Sequence, residues 1–191
     1  MPRPASDKRE RLVAAAAELV AARGLEGATI AAIAERAGVP QGSVYYHLSS
    51  KDEIAAAAVE HVATARAMDL AAWAEAPDAQ SRLAAYLASA SATARATAAS
   101  GNAATLAAQL RASSPDAAEL AARVVRDTVA WAAQQFAELG HPAQAAEARA
   151  LHLVTGVEGA GQLAHALADP TPLERETAHL SRWVANSRSS A

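Results

Sequence analysis

Between Thr29 and Glu53 the stretch "TIAAIAERAGVPQGSVYYHLSSKDE" has room for two short helices and a tight turn, and for little else. Thr29 stands where a hydroxyl can accept from the first free amides of a helix, and Ile30, Ile33 and Ala34 follow at helical spacing through Ala37. Gly38 is the stop, because helices commonly close on a left-handed residue that glycine adopts at least cost. Only Val39 and Pro40 then precede a second short helix over 41–48, after which Ser50 and Glu53 have capping-box spacing for a long helix starting near Lys51. Two short helices joined by a tight glycine-containing turn make a helix-turn-helix.

The flanking sequence extends the helical reading. A first helix is expected from Ser6 or Asp7 to Arg23, burying Leu12, Val13, Ala16, Leu19 and Val20 and stopping at Gly24. The fourth helix runs toward Trp73 with Ala58, His61, Val62, Ala65 and Met68 as its stripe, until Pro77 breaks it. Further helices are expected over 79–99, 102–112, from Ser114 and Pro115 to Leu139, and over 143–168. The 114–139 helix should bury Leu120, Val124, Thr128, Trp131 and Gln135. Thr171 as cap, Pro172 in the first turn and Glu174 at capping-box spacing open a last helix that buries Leu173, Leu180, Trp183 and Val184. The chain is 52% hydrophobic but only 4% aromatic, and alanine supplies much of that share with few β-branched runs, which excludes a sheet-based core. The expected fold is all-α with about nine helices: a three-helix helix-turn-helix head over 1–50 and a larger helical bundle over 51–191.

Several function classes drop out on residue types. Without cysteine there is no disulfide, thiolate nucleophile or thiolate metal site. His141, His152, His165 and His179 lack the i, i+4 pairing of a helical zinc site, and no nucleophile has a base at recognisable spacing, so neither a metal, a cofactor nor an enzyme is expected. No strongly apolar run reaches about 18 residues. The start "MPRPASDKRERL" is charged where a secretion signal needs an apolar run, so a cytoplasmic protein without membrane contact is expected. The net charge of −3 is unevenly spread: residues 1–51 carry seven Lys or Arg against five acids, and the remainder ten against fifteen. A slightly basic head on an acidic body fits an anionic partner for the head.

The second helix of a helix-turn-helix enters the major groove of duplex DNA, its N-terminal residues at base edges and its neighbours on phosphates. On 41–48, Gln41 offers an amide to an adenine edge, Ser43 a hydroxyl and Tyr46 a ring edge, and Gly42 lets the backbone approach. Tyr45, His47 and Lys51 can donate to phosphate oxygens. Over residues 9–54, "RERLVAAAAELVAARGLEGATIAAIAERAGVPQGSVYYHLSSKDEI" resembles, in order and without gaps, the N-terminal domain of TetR/AcrR-type transcriptional regulators. That resemblance carries base contact onto Gln41, Gly42, Ser43 and Tyr46, and phosphate contact onto Thr29, Tyr45, His47 and Lys51. Pro40 departs from the serine often found before the recognition helix, Leu48 stands where phenylalanine is common, and Ala31 stands where some members have a basic base-reader.

The resemblance further implies a homodimer whose last two helices form the interface, and a body that binds a small effector. The face Gly156, Ala160, Ala164 at i, i+4, i+8 has almost no side chains, so it is expected in the dimer interface with Leu180, Trp183 and Val184; the rival is packing inside one chain, against the fifth or seventh helix. Polar or aromatic groups that interrupt the apolar faces, Trp73, Tyr86, Asn102, Gln109, Trp131, Gln135, His152 and Gln162, are the candidate effector contacts. An alanine-rich lining points to a neutral, moderately apolar ligand. The favoured function is a ligand-responsive repressor released from a pseudo-palindromic DNA operator; the alternative is a helical ligand-binding protein whose head no longer recognises DNA.

Overall fold

A computed structural model describes residues 5–96 and 103–187 of the chain. Its described residues form nine helices: α1 (Ala5–Gly27), α2 (Ile30–Ala37), α3 (Gln41–His47), α4 (Lys51–Ala74), α5 (Ala79–Ala96), α6 (Ala103–Leu110), α7 (Pro115–Glu138), α8 (Ala143–Leu167) and α9 (Thr171–Ala185).

Local chemistry accounts for the ends of the first four. The backbone leaves the helical region at Gly24 (φ 70°), a conformation open to a residue without Cβ. Thr29 Oγ1 accepts from the Ala32 amide at 3.2 Å, and Gly38 closes α2 in the left-handed region at φ 63°. Pro40 is extended and gives α3 no side-chain cap, yet α3 still starts at Gln41. Ser50 Oγ accepts from the Glu53 amide at 3.1 Å. The Glu53 carboxylate reaches back to the amide and hydroxyl of Ser49, one residue beyond the expected partner, and these bonds hold it below the ordinary carboxylate pKa.

Three expectations need correction. In α9 the capping group is Asp169, whose Oδ1 accepts from the Thr171 amide at 2.9 Å and its hydroxyl at 2.6 Å, while Thr171 is already helical. Ala168 ends α8 left-handed at φ 51°, which brings the next carboxylate to those donors. In α4 the buried stripe is Ile54, Ala55, Ala57, Ala58 and Val59; His61, Ala65 and Met68 are exposed. Leu120 on α7 is also exposed, and Ala117, Ala118 and Ala121 are buried beside it.

The chain divides into two compact units, one within 1–65 and 99–124 and the other within 66–98 and 125–191. The first has α2 against α1 and α3, and α6 against α1. Its core joins Leu12, Ala16, Val20, Ile33, Val44, Leu48 and Ile54 with Leu106, Leu110 and Ala121, so the helix-turn-helix shares one core with α6 and the start of α7. The second has α9 packed on both α5 and α8, around Leu83, Leu87, Phe136, Leu153, Leu180 and Val184. Truncating a fully buried side chain such as Phe136 costs about 3–5 kcal/mol.

Candidate nucleic-acid interface and effector site

α3 is held by one apolar contact line. Val44 is fully buried and Leu48 nearly so; at about 100° per residue the opposite arc carries Gly42 and Tyr46, Tyr45 flanks it, and Gln41 stands at the open first turn. All four are exposed, Tyr45 by 60% and Tyr46 by 84%. Ser43 and His47 border the arc half-buried, and the His47 ring stands edge-on to Tyr46 with centroids 4.8 Å apart. A Cβ added at Gly42 would meet nothing within 4 Å, so the surface there is open to a close neighbour. Thr29 is exposed at the start of α2, its oxygen accepting the cap bond and its hydroxyl proton still available.

Lys51, an expected phosphate contact, has acceptors within the chain. Its Nζ donates to the Leu25 carbonyl at 2.8 Å and the Glu26 carbonyl at 3.3 Å, with the Glu26 carboxylate at 3.4 Å. An ammonium has three donors, and here all three have acceptors on the chain that follows Gly24. Lys51 thus pins the start of α4 to the end of α1. Arg11 acts alike, donating from Nη1 to the Ala37 carbonyl at the end of α2 at 3.0 Å. Arg9 pairs with Glu60 and Arg36 with Glu18. The helix-turn-helix is therefore held in place by its own basic residues as well as by its core, a use that spacing along the chain does not reveal.

The effector candidates separate. Trp73, Tyr86 and Trp131 come together in the second unit: Trp73 lies 5.1 Å from each of the other two rings, and Tyr86 and Trp131 are 6.0 Å apart. Gln135 is buried nearby, accepting from Arg82 Nη1 at 2.6 Å and donating to the Trp131 carbonyl at 3.2 Å. Gln109 belongs to the first unit and donates to the Ala21 carbonyl. His152 and Gln162 are exposed on α8, His152 edge-on to Trp183, and Asn102 lies outside the described residues.

One group beside the aromatic cluster, Glu158, escaped the sequence reading, and the state of the Tyr86 hydroxyl was not expected. Tyr86 is buried with its hydroxyl unpartnered, and Glu158 Oε2 is buried without a hydrogen-bond partner. Burial pushes the Tyr86 hydroxyl pKa up, the Glu158 charge pushes it further, and Arg66 opposes; burial likewise raises the Glu158 carboxyl against Arg66. The Arg66 guanidinium lies over the Trp73 ring, 5.4 Å from its centroid. The available signal was Glu158 itself, an acid one residue after the buried Val157 and four after the buried Val154.

The expected dimer residues are also redistributed. Ala160, Leu180 and Val184 are buried in the second unit's core, with Ala164 packed against it, and a Cβ on Gly156 would lie 3.1 Å from Leu180 Cδ1. The small-residue face of α8 thus meets α9 of the same chain, with Gly156 and Ala164 half-buried on it. Trp183 is half-buried against Phe136, His152 and Arg149. The opposite side of α8 exposes Leu151 and Leu163, with Leu167 beyond them and Gly159 between.

Among the described residues no cluster could hold a metal ion, and no helix is long and apolar enough to cross a membrane. The profile "Bacterial regulatory proteins, tetR family" matches residues 12–58. The HTH-type transcriptional regulator YvdT of Bacillus subtilis (strain 168) is 38% identical over 64 residues, which are 34% of this chain and 33% of that protein, so the chain matches about a third of the length of this curated relative. Over the whole fold, a TetR transcriptional regulator from Chloroflexus aurantiacus superposes with a TM-score of 0.80 at 25% identity, covering 95% of this chain and 96% of that one. A transcriptional regulator from Rhodococcus sp. Rha1 gives 0.72 at 28% identity, covering 96% and 98%. Residues 12–58 thus match the N-terminal domain profile of the tetR family, and with an exposed recognition helix and a fold shared along almost the full length the chain is similar to TetR transcriptional regulators.

Proposed function

We propose that the chain is a ligand-responsive DNA-binding repressor that acts as a homodimer. Its first unit would supply the head and its second unit the effector site. The observation that carries the DNA reading is the exposed arc of α3. Tyr45 and Tyr46 leave large apolar rings in water where the fold gains nothing from them, and the hydroxyls and the Gln41 amide match the donors and acceptors of groove edges and phosphates. Base contact is assigned to Gln41, Gly42, Ser43 and Tyr46, and phosphate contact to Thr29, Tyr45 and His47.

Two such heads would sit in major grooves about 34–36 Å apart on a pseudo-palindromic operator. The second copy would add along the outer face of α8, where Leu151 and Leu163 are 58% and 57% exposed and Gly159 admits a close approach. An effector releases DNA only if it binds better to the conformation whose heads no longer match the operator.

Fluorescence anisotropy with duplexes covering the DNA around the chain's own gene, titrated over salt, tests the reading beside Tyr45→Phe and Tyr46→Ala. One segment should bind tightly, with a steep salt dependence, and both variants should weaken it. Weak, equal binding to every segment, unchanged in both variants, would leave a helical ligand-binding protein that does not recognise DNA.

A further inference from the structure

The second unit buries one carboxylate oxygen, Glu158 Oε2, and the Tyr86 hydroxyl without hydrogen-bond partners. Burying such groups without partners is costly, more so when they are charged, and a fold retains them where something else uses them. Tyr86 is 1% exposed, and its ring belongs to the Trp73–Tyr86–Trp131 cluster. Glu158, from α8, is close enough for its charge to act on that hydroxyl. The cluster is not sealed, since Trp131, Glu158 and Arg66 are half-buried and lead from its rings to the surface.

The chemistry of the three rings selects a sign. Aromatic faces attract cations, and Trp73 already carries one, the Arg66 guanidinium. Arg66 lies on that ring rather than on the carboxylate, so Glu158 Oε2 has no donor among the described residues. We propose that the effector is an apolar, aromatic-bodied amine whose ammonium donates to Glu158 and to the Tyr86 hydroxyl oxygen, its body packing against Trp73 and Trp131. This rests on the reading of the second unit as an effector site, and it replaces the neutral ligand expected from the alanine-rich lining. A ligand carrying an anion would turn to Arg66 instead.

Calorimetric titration of the full chain with three probes of one skeleton, naphthylethylamine, naphthylethanol and naphthylacetate, separates these cases. The amine should bind about tenfold more tightly than the alcohol, a difference on the scale of one desolvated charge contact. Glu158→Gln should weaken the amine about tenfold and remove its advantage over the alcohol, and Tyr86→Phe, which keeps the ring, should weaken the amine more than the alcohol. Equal binding of amine and alcohol, indifferent to both variants, overturns the cation assignment and leaves the effector site standing. Preference for the acetate overturns it in favour of Arg66. Binding of none of the three at millimolar concentration overturns the assignment and counts against an effector site at this cluster.

Discussion

Replacing Lys51 with methionine keeps an unbranched apolar stem and removes the ammonium, which distinguishes a contact within the fold from a contact to DNA. In the structure the lost group leaves the Leu25 and Glu26 carbonyls without their donor and ends the pair with Glu26. Hydrogen bonds to a charged group are worth about 1.5–3 kcal/mol when protected. The Lys51 side chain is 44% exposed and the Glu26 side chain 86%, so water replaces much of what is lost and the ion pair adds little. The net loss is about 1 kcal/mol, which for a chain of this size is about 2–4 °C in Tm. Each phosphate contact would contribute about 0.9 to the slope of log K against log salt. Urea unfolding and anisotropy on a non-specific duplex at low salt should therefore show reduced stability with an unchanged slope. Unchanged stability together with a slope smaller by about one unit would show that Lys51 leaves its carbonyls to hold phosphate, and would refute the structural role.

Two glycines on α8 should respond oppositely to alanine. Within one chain Gly159→Ala meets nothing within 4 Å and gains the helix propensity of about 1 kcal/mol, whereas Gly156→Ala puts a methyl 2.8 Å from Glu176 Oε1 and 3.1 Å from Leu180 Cδ1, where overpacking of about 1–3 kcal/mol cancels or exceeds that gain; equal rises in Tm, measured at a dilution where the chain is monomeric, would refute the packing of that face. Tyr86→Phe removes an unpartnered buried hydroxyl, so the ligand-free chain should be as stable as the parent or up to about 1 kcal/mol more so, and a clear loss in urea titration would mean that the hydroxyl is bonded. Burial holds the Glu158 carboxyl above its ordinary pKa of 4.5, so its stabilising contribution is complete below that value and is lost as pH rises from there through the folded pKa. Glu158→Gln should accordingly match the parent on the acid side of the carboxylate range and exceed it in stability at neutral pH, and a difference independent of pH would refute the burial.

The parts of the fold legible in the sequence are those decided within a few residues. Thr29 and Gly38 bound α2 because a hydroxyl and a left-handed glycine act on amides of their own turn, and Ser50 does the same for α4. The exposed arc of α3 was legible for a similar reason, since Val44 and Leu48 are its apolar positions and leave Tyr45 and Tyr46 no core to enter. Groups whose partners lie far along the chain were not legible. Lys51 meets carbonyls about 25 residues earlier, and nothing in "SSKDE" distinguishes that acceptor from a phosphate. The Glu158 charge reaches Tyr86 only through the packing of the second unit, and the exposed positions of α4 and α7 misled because alanine fills buried and exposed positions alike. In an alanine-rich chain the hydrophobic period is blurred, and the larger residues carry most of the signal.

α8 shows what that blurring conceals. Ala146, Ala150, Leu153, Val154, Val157 and Ala160 face the core of the second unit, while Leu151, Gly159 and Leu163 lie roughly opposite among exposed His152, Thr155 and Gln162, so large apolar residues stand on a side that one copy of the chain leaves in water. Glycines suggested that the small-residue side meets the second copy, but small residues permit close approach by any helix, and α9 of the same chain is the nearest. What distinguishes an interface is the large apolar residue left in water, and on α8 those are Leu151, Leu163 and Leu167. The same rule applied to α3 picks out Tyr45 and Tyr46, and applied in reverse to the second unit it picks out Glu158 and Tyr86, polar groups kept from water. The proposals of a second chain, of DNA and of a ligand thus each rest on residues whose burial is wrong for a lone chain.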